Sequence, residues 1–213
     1  MTNKQISAYV VELFGTFVLT MVVFMVGGVY GVLGALLIGL VMAVLVGAFL
    51  EMSGAHFNPA ITAGMLALRK IKLGDALGYV VAQGLGAVAA WQLVEYFSGT
   101  DVTAVSADYS GRLLIAELIG TAVFAMAVAS VSKLKQAGWQ VPVTIGLGYM
   151  MGLIVASVYS LADGGSAALS GTINPAVALG MRTFSIETMV GPIVGAVVGM
   201  ALYVWLADMQ TKK

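Results

Sequence analysis

The tripeptide Asn-Pro-Ala occurs twice, as Asn58-Pro59-Ala60 and Asn174-Pro175-Ala176, and each copy opens a short apolar stretch, about 59–68 and 175–181. Asparagine is a favoured helix N-cap, and proline suits the first helical position, where no backbone N–H is needed. The spacing therefore predicts two short helices that start at Asn58 and Asn174. A capping asparagine bonds through its side-chain oxygen and keeps its NH2 group free to donate. The helix N-terminus beside it carries roughly half a positive charge. Donor and dipole together suit the oxygen of a neutral polar molecule and repel a cation. One such tripeptide is a weak signal, since most mark a turn; two in corresponding places are a strong one.

Four other side chains could do chemistry. Glu12 and Glu117 fall inside apolar runs, where an ionised group costs about 2.5–3.5 kcal/mol at the centre of a membrane helix. They could couple transport to protons or ions, or they could accept hydrogen bonds from irregular backbone leading into the two short helices. Their matched placement favours the second role. Glu51, near the end of a run, reads as a solvating or loop-bracing residue. His56 is the sole histidine, and the chain has no cysteine. A metal site is therefore not expected, nor is any cofactor. The expected part for His56 is a backbone carbonyl facing the site, with the ring anchoring its loop.

The elements that must hold these residues follow from composition. The 213 residues are 60% hydrophobic and only 9% charged, with a mean hydropathy of +1.00. A soluble domain carries roughly a quarter charged residues, so lipid is the expected solvent. The zero net charge removes the electrostatic case for nucleic acid. A transmembrane helix needs about 20 mostly apolar residues, and six runs qualify, at about 6–26, 32–50, 76–97, 113–131, 141–161 and 188–207. The opening residues 1–5 are too short and polar for a cleaved signal, so the first run is expected to be a span. Tyr30, Tyr79, Trp91, Trp139 and Trp205 lie near span ends and read as interface anchors.

Lys4, Arg69, Lys70, Lys72, Lys133, Lys135, Lys212 and Lys213 fall in the termini and the second and fourth connections. The other connections hold mainly Asp101, Asp108 and Asp163, with Arg112 and Arg182 as exceptions. The positive-inside rule then places both termini in the cytoplasm, as six spans require. The chain also repeats itself. Glu12-Leu-Phe-Gly15-Thr16 recurs as Glu117-Leu-Ile-Gly120-Thr121, and Gln83 to Ala87 is echoed by Pro192 to Ala196. Each half, about 6–97 and 113–209 of a single 1–213 domain, has three spans and one short helix. Three is odd, so the second half enters from the opposite side, and such inverted repeats place their site near the midplane. Short helices at that depth are tolerated only inside protein or along a watery cavity.

The segment Ser53-Gly54-Ala55-His56-Phe57-Asn58-Pro59-Ala60-Ile61-Thr62 resembles the first signature of the aquaporin (major intrinsic protein) family. The paired Glu-x-x-Gly-Thr and the Gly191-Pro192 of the last span resemble it too, so the likeness covers the chain. It implies an all-α integral membrane protein with six transmembrane helices and two re-entrant half-helices. It also implies a homotetramer in the cell membrane with one pore per subunit, and a passive channel for water and small neutral solutes rather than an enzyme. In such pores a water turns its oxygen to both asparagines, which breaks the proton wire.

One place departs from the family, whose second motif continues with an arginine at the outer filter; here Val177 stands there. The other filter places map to Ile38, about Leu153, and Gly171, with 160–170 an insertion relative to typical members. The mapped filter is apolar and wide, which disfavours water and suits a small solute with apolar surface. Arg182, about two turns beyond the motif, could replace the missing arginine but reads better as a snorkelling or loop-pairing residue. A basic residue often sits there in glycerol facilitators, although its aspartate partner would be Ala178 here. Thr188-Met189 also lack the aromatics of water-selective members.

Overall fold

The computed structural model describes residues 1–26, 31–105, 108–135, 137–163 and 171–211. Tyr30, Lys212, Lys213 and most of the 160–170 insertion lie outside the described residues. The helices are α1 (Asn3–Val26), α2 (Gly31–Ser53), α3 (Pro59–Ala67), α4 (Leu73–Ser98), α5 (Gly111–Lys133), α6 (Gln140–Ala156), α7 (Pro175–Gly180) and α8 (Ile186–Thr211). A 3-10 turn over Ser157–Asp163 extends α6. Six of these are long and apolar enough to cross a membrane. With 24 residues, α1 alone reaches about 36 Å at 1.5 Å per residue, beyond the roughly 30 Å hydrocarbon core. The 9 residues of α3 and 6 of α7 cannot span. The order long, long, short, long therefore occurs twice.

Packing follows the same repeat. α1 lies along α4, α5 along α8, and α2 crosses α6, while α4 and α8 do not meet. The two short helices fill the gap between α4 and α8, each touching both. Close approach is possible because glycines stand at the crossings. A Cβ on Gly86 would lie 2.2 Å from the Leu13 carbonyl oxygen, and one on Gly195 would lie 2.2 Å from that of Leu118. Gly39 and Gly146 face each other where α2 crosses α6. Small residues at such contacts let membrane helices approach backbone to backbone.

The outward faces are apolar, as lipid requires; Val32 and Val44 are 68% and 70% exposed. Polar ties hold the helix ends. Asp75 accepts from Gln5 Nε2 (2.8 Å) and the Tyr9 hydroxyl (3.2 Å), joining α4 to α1. Glu187 accepts from the Ser110 N–H (2.6 Å), joining α8 to α5. Lys133 pairs with Asp208 at the other end of α5 and α8.

One of the expected interface anchors faces inward instead. Tyr79 is buried and donates its hydroxyl to the Ser53 carbonyl. Trp91 lies beneath the Arg182 guanidinium, 4.5 Å from its ring centroid. Tyr79 faces inward because α4 turns that side onto α1, where its ring meets Tyr9, while Trp91 is half-buried. Trp139 and Trp205 remain exposed.

Candidate functional site

The site grows from two loops, 54–57 and 171–173, that feed the short helices. Each loop carries backbone N–H groups with no helical partner, and such buried groups must be satisfied by other acceptors. Glu12, wholly buried on α1, supplies the acceptors for the first loop. Its Oε1 accepts from the His56 N–H (2.9 Å) and the Ser53 hydroxyl (2.7 Å). Its Oε2 accepts from the Phe57 N–H (2.7 Å) and Gln83 Nε2 (2.8 Å). Glu117, equally buried on α5, accepts from the Thr172 N–H (2.8 Å) and hydroxyl (3.2 Å) through Oε1, and from the Ile173 N–H (2.7 Å) through Oε2. His56 Nδ1 lies 3.1 Å from the Thr62 hydroxyl, and its ring meets the Tyr79 ring edge-on at 5.2 Å. Among the described residues no cluster of three or more His, Cys, Asp or Glu side chains could hold a metal.

Held this way, both loops turn through left-handed backbone just before the motif, at Phe57 (φ +48°) and Ile173 (φ +45°). For a β-branched isoleucine this is a true outlier, worth about 1–3 kcal/mol of local strain. The turns bring each loop's last carbonyl to the other loop's asparagine. Asn58 Nδ2 donates to the Ile173 carbonyl, and Asn174 Nδ2 donates to the Phe57 carbonyl, both at 2.9 Å. The side-chain oxygens cap the helices. That of Asn58 accepts from the Ala60 N–H (2.8 Å). That of Asn174 accepts from the Ala176 N–H (3.0 Å) and, more weakly, the Val177 N–H (3.4 Å). The amides are thus not wholly free, contrary to the expectation from sequence. Each spends one of its two N–H hydrogens on the cross-link and keeps one.

Ile38 and Val177 are wholly buried, Leu153 nearly so, and all three belong to one apolar cluster with Ile173 and Ala156. Gly171 sits so close to α6 that a Cβ would lie 2.4 Å from that of Ala156. Arg182 is engaged elsewhere. Its Nη1 donates to the Val102 carbonyl (3.0 Å), its carbonyl accepts from the Val105 N–H (3.0 Å), and its guanidinium covers Trp91. It ties the connection before α5 to the end of α7. Arg182→Ala is expected to lower stability by about 1–2 kcal/mol, one hydrogen bond and one cation–π contact. The glycerol-to-water flux ratio should not change. Thermal unfolding in detergent and stopped-flow measurement check the two halves.

Sequence reading passed over one residue of the site. Tyr149, in the middle of α6, is wholly buried, meets Phe124 edge-on at 4.9 Å, and donates its hydroxyl to the Thr172 carbonyl (3.4 Å). A phenol in mid-span, where no headgroup can reach it, was the available signal.

A family model described as Major intrinsic protein matches residues 27–203. The chain belongs to the major intrinsic protein family. Among relatives of this family member, aquaporin-4 of Mus musculus is 33% identical over 193 residues. That match covers 85% of this chain and 59% of aquaporin-4, so the chain spans less than two thirds of that relative's length. The glycerol uptake facilitator protein-like 6 of Lactiplantibacillus plantarum is 32% identical over 191 residues, 83% of each chain. In fold, the chain resembles the aquaglyceroporin from Plasmodium falciparum, with a TM-score of 0.71 at 20% identity over 96% of this chain and 99% of that one. This major intrinsic protein is therefore a multi-pass membrane protein of all-α, aquaporin-like fold, with α3 and α7 as its half-helices.

Proposed function

We propose that this chain is a passive channel that conducts water and small uncharged solutes and excludes protons and ions. The observation that carries the reading is the reciprocal pair of asparagines. Each caps a half-helix, bonds to the opposite loop, and retains one N–H for a passing oxygen. The facing dipole ends disfavour cations there. Pro59, Pro175, Ala60 and Ala176 shape this constriction, and Glu12, Glu117 and His56 position its loops. Ile38, Leu153, Gly171 and Val177 form the outer filter. With no arginine it favours solutes that present apolar surface, and a glycerol-facilitator-like preference is the second reading, supported by the Val177 substitution. A homotetramer in the cell membrane, both termini cytoplasmic, and a single 1–213 domain of two inverted repeats complete the proposal.

A proton- or ion-coupled transporter is the rival. The engagement of both buried carboxylates speaks against it, because Glu12 accepts four hydrogen bonds and Glu117 three, which leaves little lone-pair capacity for a cargo ion. In proteoliposomes, stopped-flow light scattering should show water and glycerol fluxes above lipid, linear in the gradient and indifferent to proton or sodium gradients. Saturable, ion-linked flux would reject the channel. Flux at the lipid background for water, glycerol, urea and ammonia would point to an occluded structural protein.

A further inference from the structure

The geometry of α6 points to a selectivity role for Tyr149, and this inference rests on the channel reading above. Gly146 faces α2, where a Cβ would meet the Gly39 carbonyl oxygen and Ala43. Gly148 and Gly152 face α5, where Cβ atoms would meet Ala127 and the Gly120 carbonyl oxygen. Leu147 and Met151, on the opposite side, are exposed. Successive helical residues advance by about 100°, so Tyr149 projects between the two contact lines into the space that α2 and α5 enclose. Leu153 shares that sector one turn further along. The phenol therefore stands between the apolar filter and the asparagine pair.

We propose that Tyr149 is a tethered competitor for the permeating molecule. Its hydroxyl donates to the Thr172 carbonyl and so occupies an acceptor in the loop that leads into Asn174. A solute passing this level must replace that bond. A hydroxyl can do so, because it donates as the phenol does. A molecule with no donor strands a buried acceptor, which is costly. The ring adds a steric term, since it fills space next to Phe124 that a solute larger than water would need. Tyr149 thus selects on hydrogen-bonding type and on width, at a level distinct from Val177.

The test compares wild type, Tyr149→Phe and Tyr149→Val in proteoliposomes, with flux normalised to reconstituted protein and folding checked by size-exclusion elution. Tyr149→Phe deletes a single oxygen and keeps the ring against Phe124. It is expected to raise glycerol flux about fivefold, the size of one net hydrogen bond. Tyr149→Val should raise glycerol flux further and more than water flux. Because the chain has no cysteine, Tyr149→Cys and Leu147→Cys each offer one thiol to a charged, membrane-impermeant methanethiosulfonate. Fast modification of Tyr149→Cys with loss of flux, against slow modification of Leu147→Cys, supports the assignment. A wild-type glycerol-to-water ratio in both Phe and Val variants of a conducting protein overturns it and leaves the channel standing. Background flux from wild type and every variant overturns both.

Discussion

Glu12→Leu is expected to abolish flux and to remove most of the folded protein, the largest single effect in the chain. Leucine fits the volume but accepts nothing, so it strands the His56 and Phe57 N–H groups, Gln83 Nε2 and the Ser53 hydroxyl. Each stranded buried donor costs roughly 1–3 kcal/mol, and the Glu12 site is wholly buried. The total reaches the scale of a whole domain's net stability. The first half-helix would go with it, because Phe57 keeps its left-handed turn only while its N–H is held. Its carbonyl would then leave Asn174. Glu12→Gln retains one acceptor oxygen and places an NH2 group against a donor, so a partial loss of both stability and flux is expected. Thermal unfolding in detergent and water flux in proteoliposomes follow the series. A folded Glu12→Gln with normal passive flux but lost ion coupling would instead favour the transporter reading. Near-normal flux in Glu12→Leu would show that the carboxylate does not hold the loop.

The series also separates what was legible in the sequence from what was not. The half-helices were placed to within a residue, 59–68 against Pro59–Ala67 and 175–181 against Pro175–Gly180. Cap chemistry is local, and Asn-Pro leaves little freedom in where a helix starts. Span ends were less legible, because an apolar run ends where polarity begins and a helix does not. α4 starts at Leu73 rather than near residue 76 because its first turn carries Asp75, which joins it to α1.

Contacts between the halves were not legible at all. The bond from Asn58 to the Ile173 carbonyl depends on a positive φ at a β-branched residue, which no local propensity favours. Only Glu117, far away in the chain, makes it tolerable. The misread tyrosine of α4 has the same origin. A tyrosine near a run's end suits the headgroup layer, but the helix rotation that buries Tyr79 is set by Gly86 against α1. Tyr149 escaped because an aromatic in an apolar run reads as core until its hydroxyl is seen to have a partner.

Val177→Arg tests the remaining departure, at the outer filter. Val177 is wholly buried in the first turn of α7, with its N–H turned toward the Asn174 side chain. An arginine there places a cation near the positive end of the half-helix, unfavourable by about 0.3–1 kcal/mol. It also carries an insertion cost of about 2.5–3.5 kcal/mol unless its guanidinium reaches water or carbonyl oxygens. Some loss of stability is therefore expected even if the side chain extends outward. Its effect on passage should be larger. The guanidinium adds five donors and several heavy atoms to the filter proposed from Ile38, Leu153 and Gly171. Width falls and polarity rises together. Both changes act against a solute that fills the filter with apolar surface, and the added donors offset the loss of width only for water. Glycerol flux is expected to fall about tenfold or more, equivalent to about 1.4 kcal/mol in the barrier, while water flux falls less. Stopped-flow on the reconstituted variant gives the ratio directly. An unchanged ratio in folded protein would remove Val177 from the constriction. Combining it with Tyr149→Phe then tells whether the filter and the midplane act in series. Independent barriers in series leave the higher one in control, so the gain from Tyr149→Phe should vanish once arginine limits the flux.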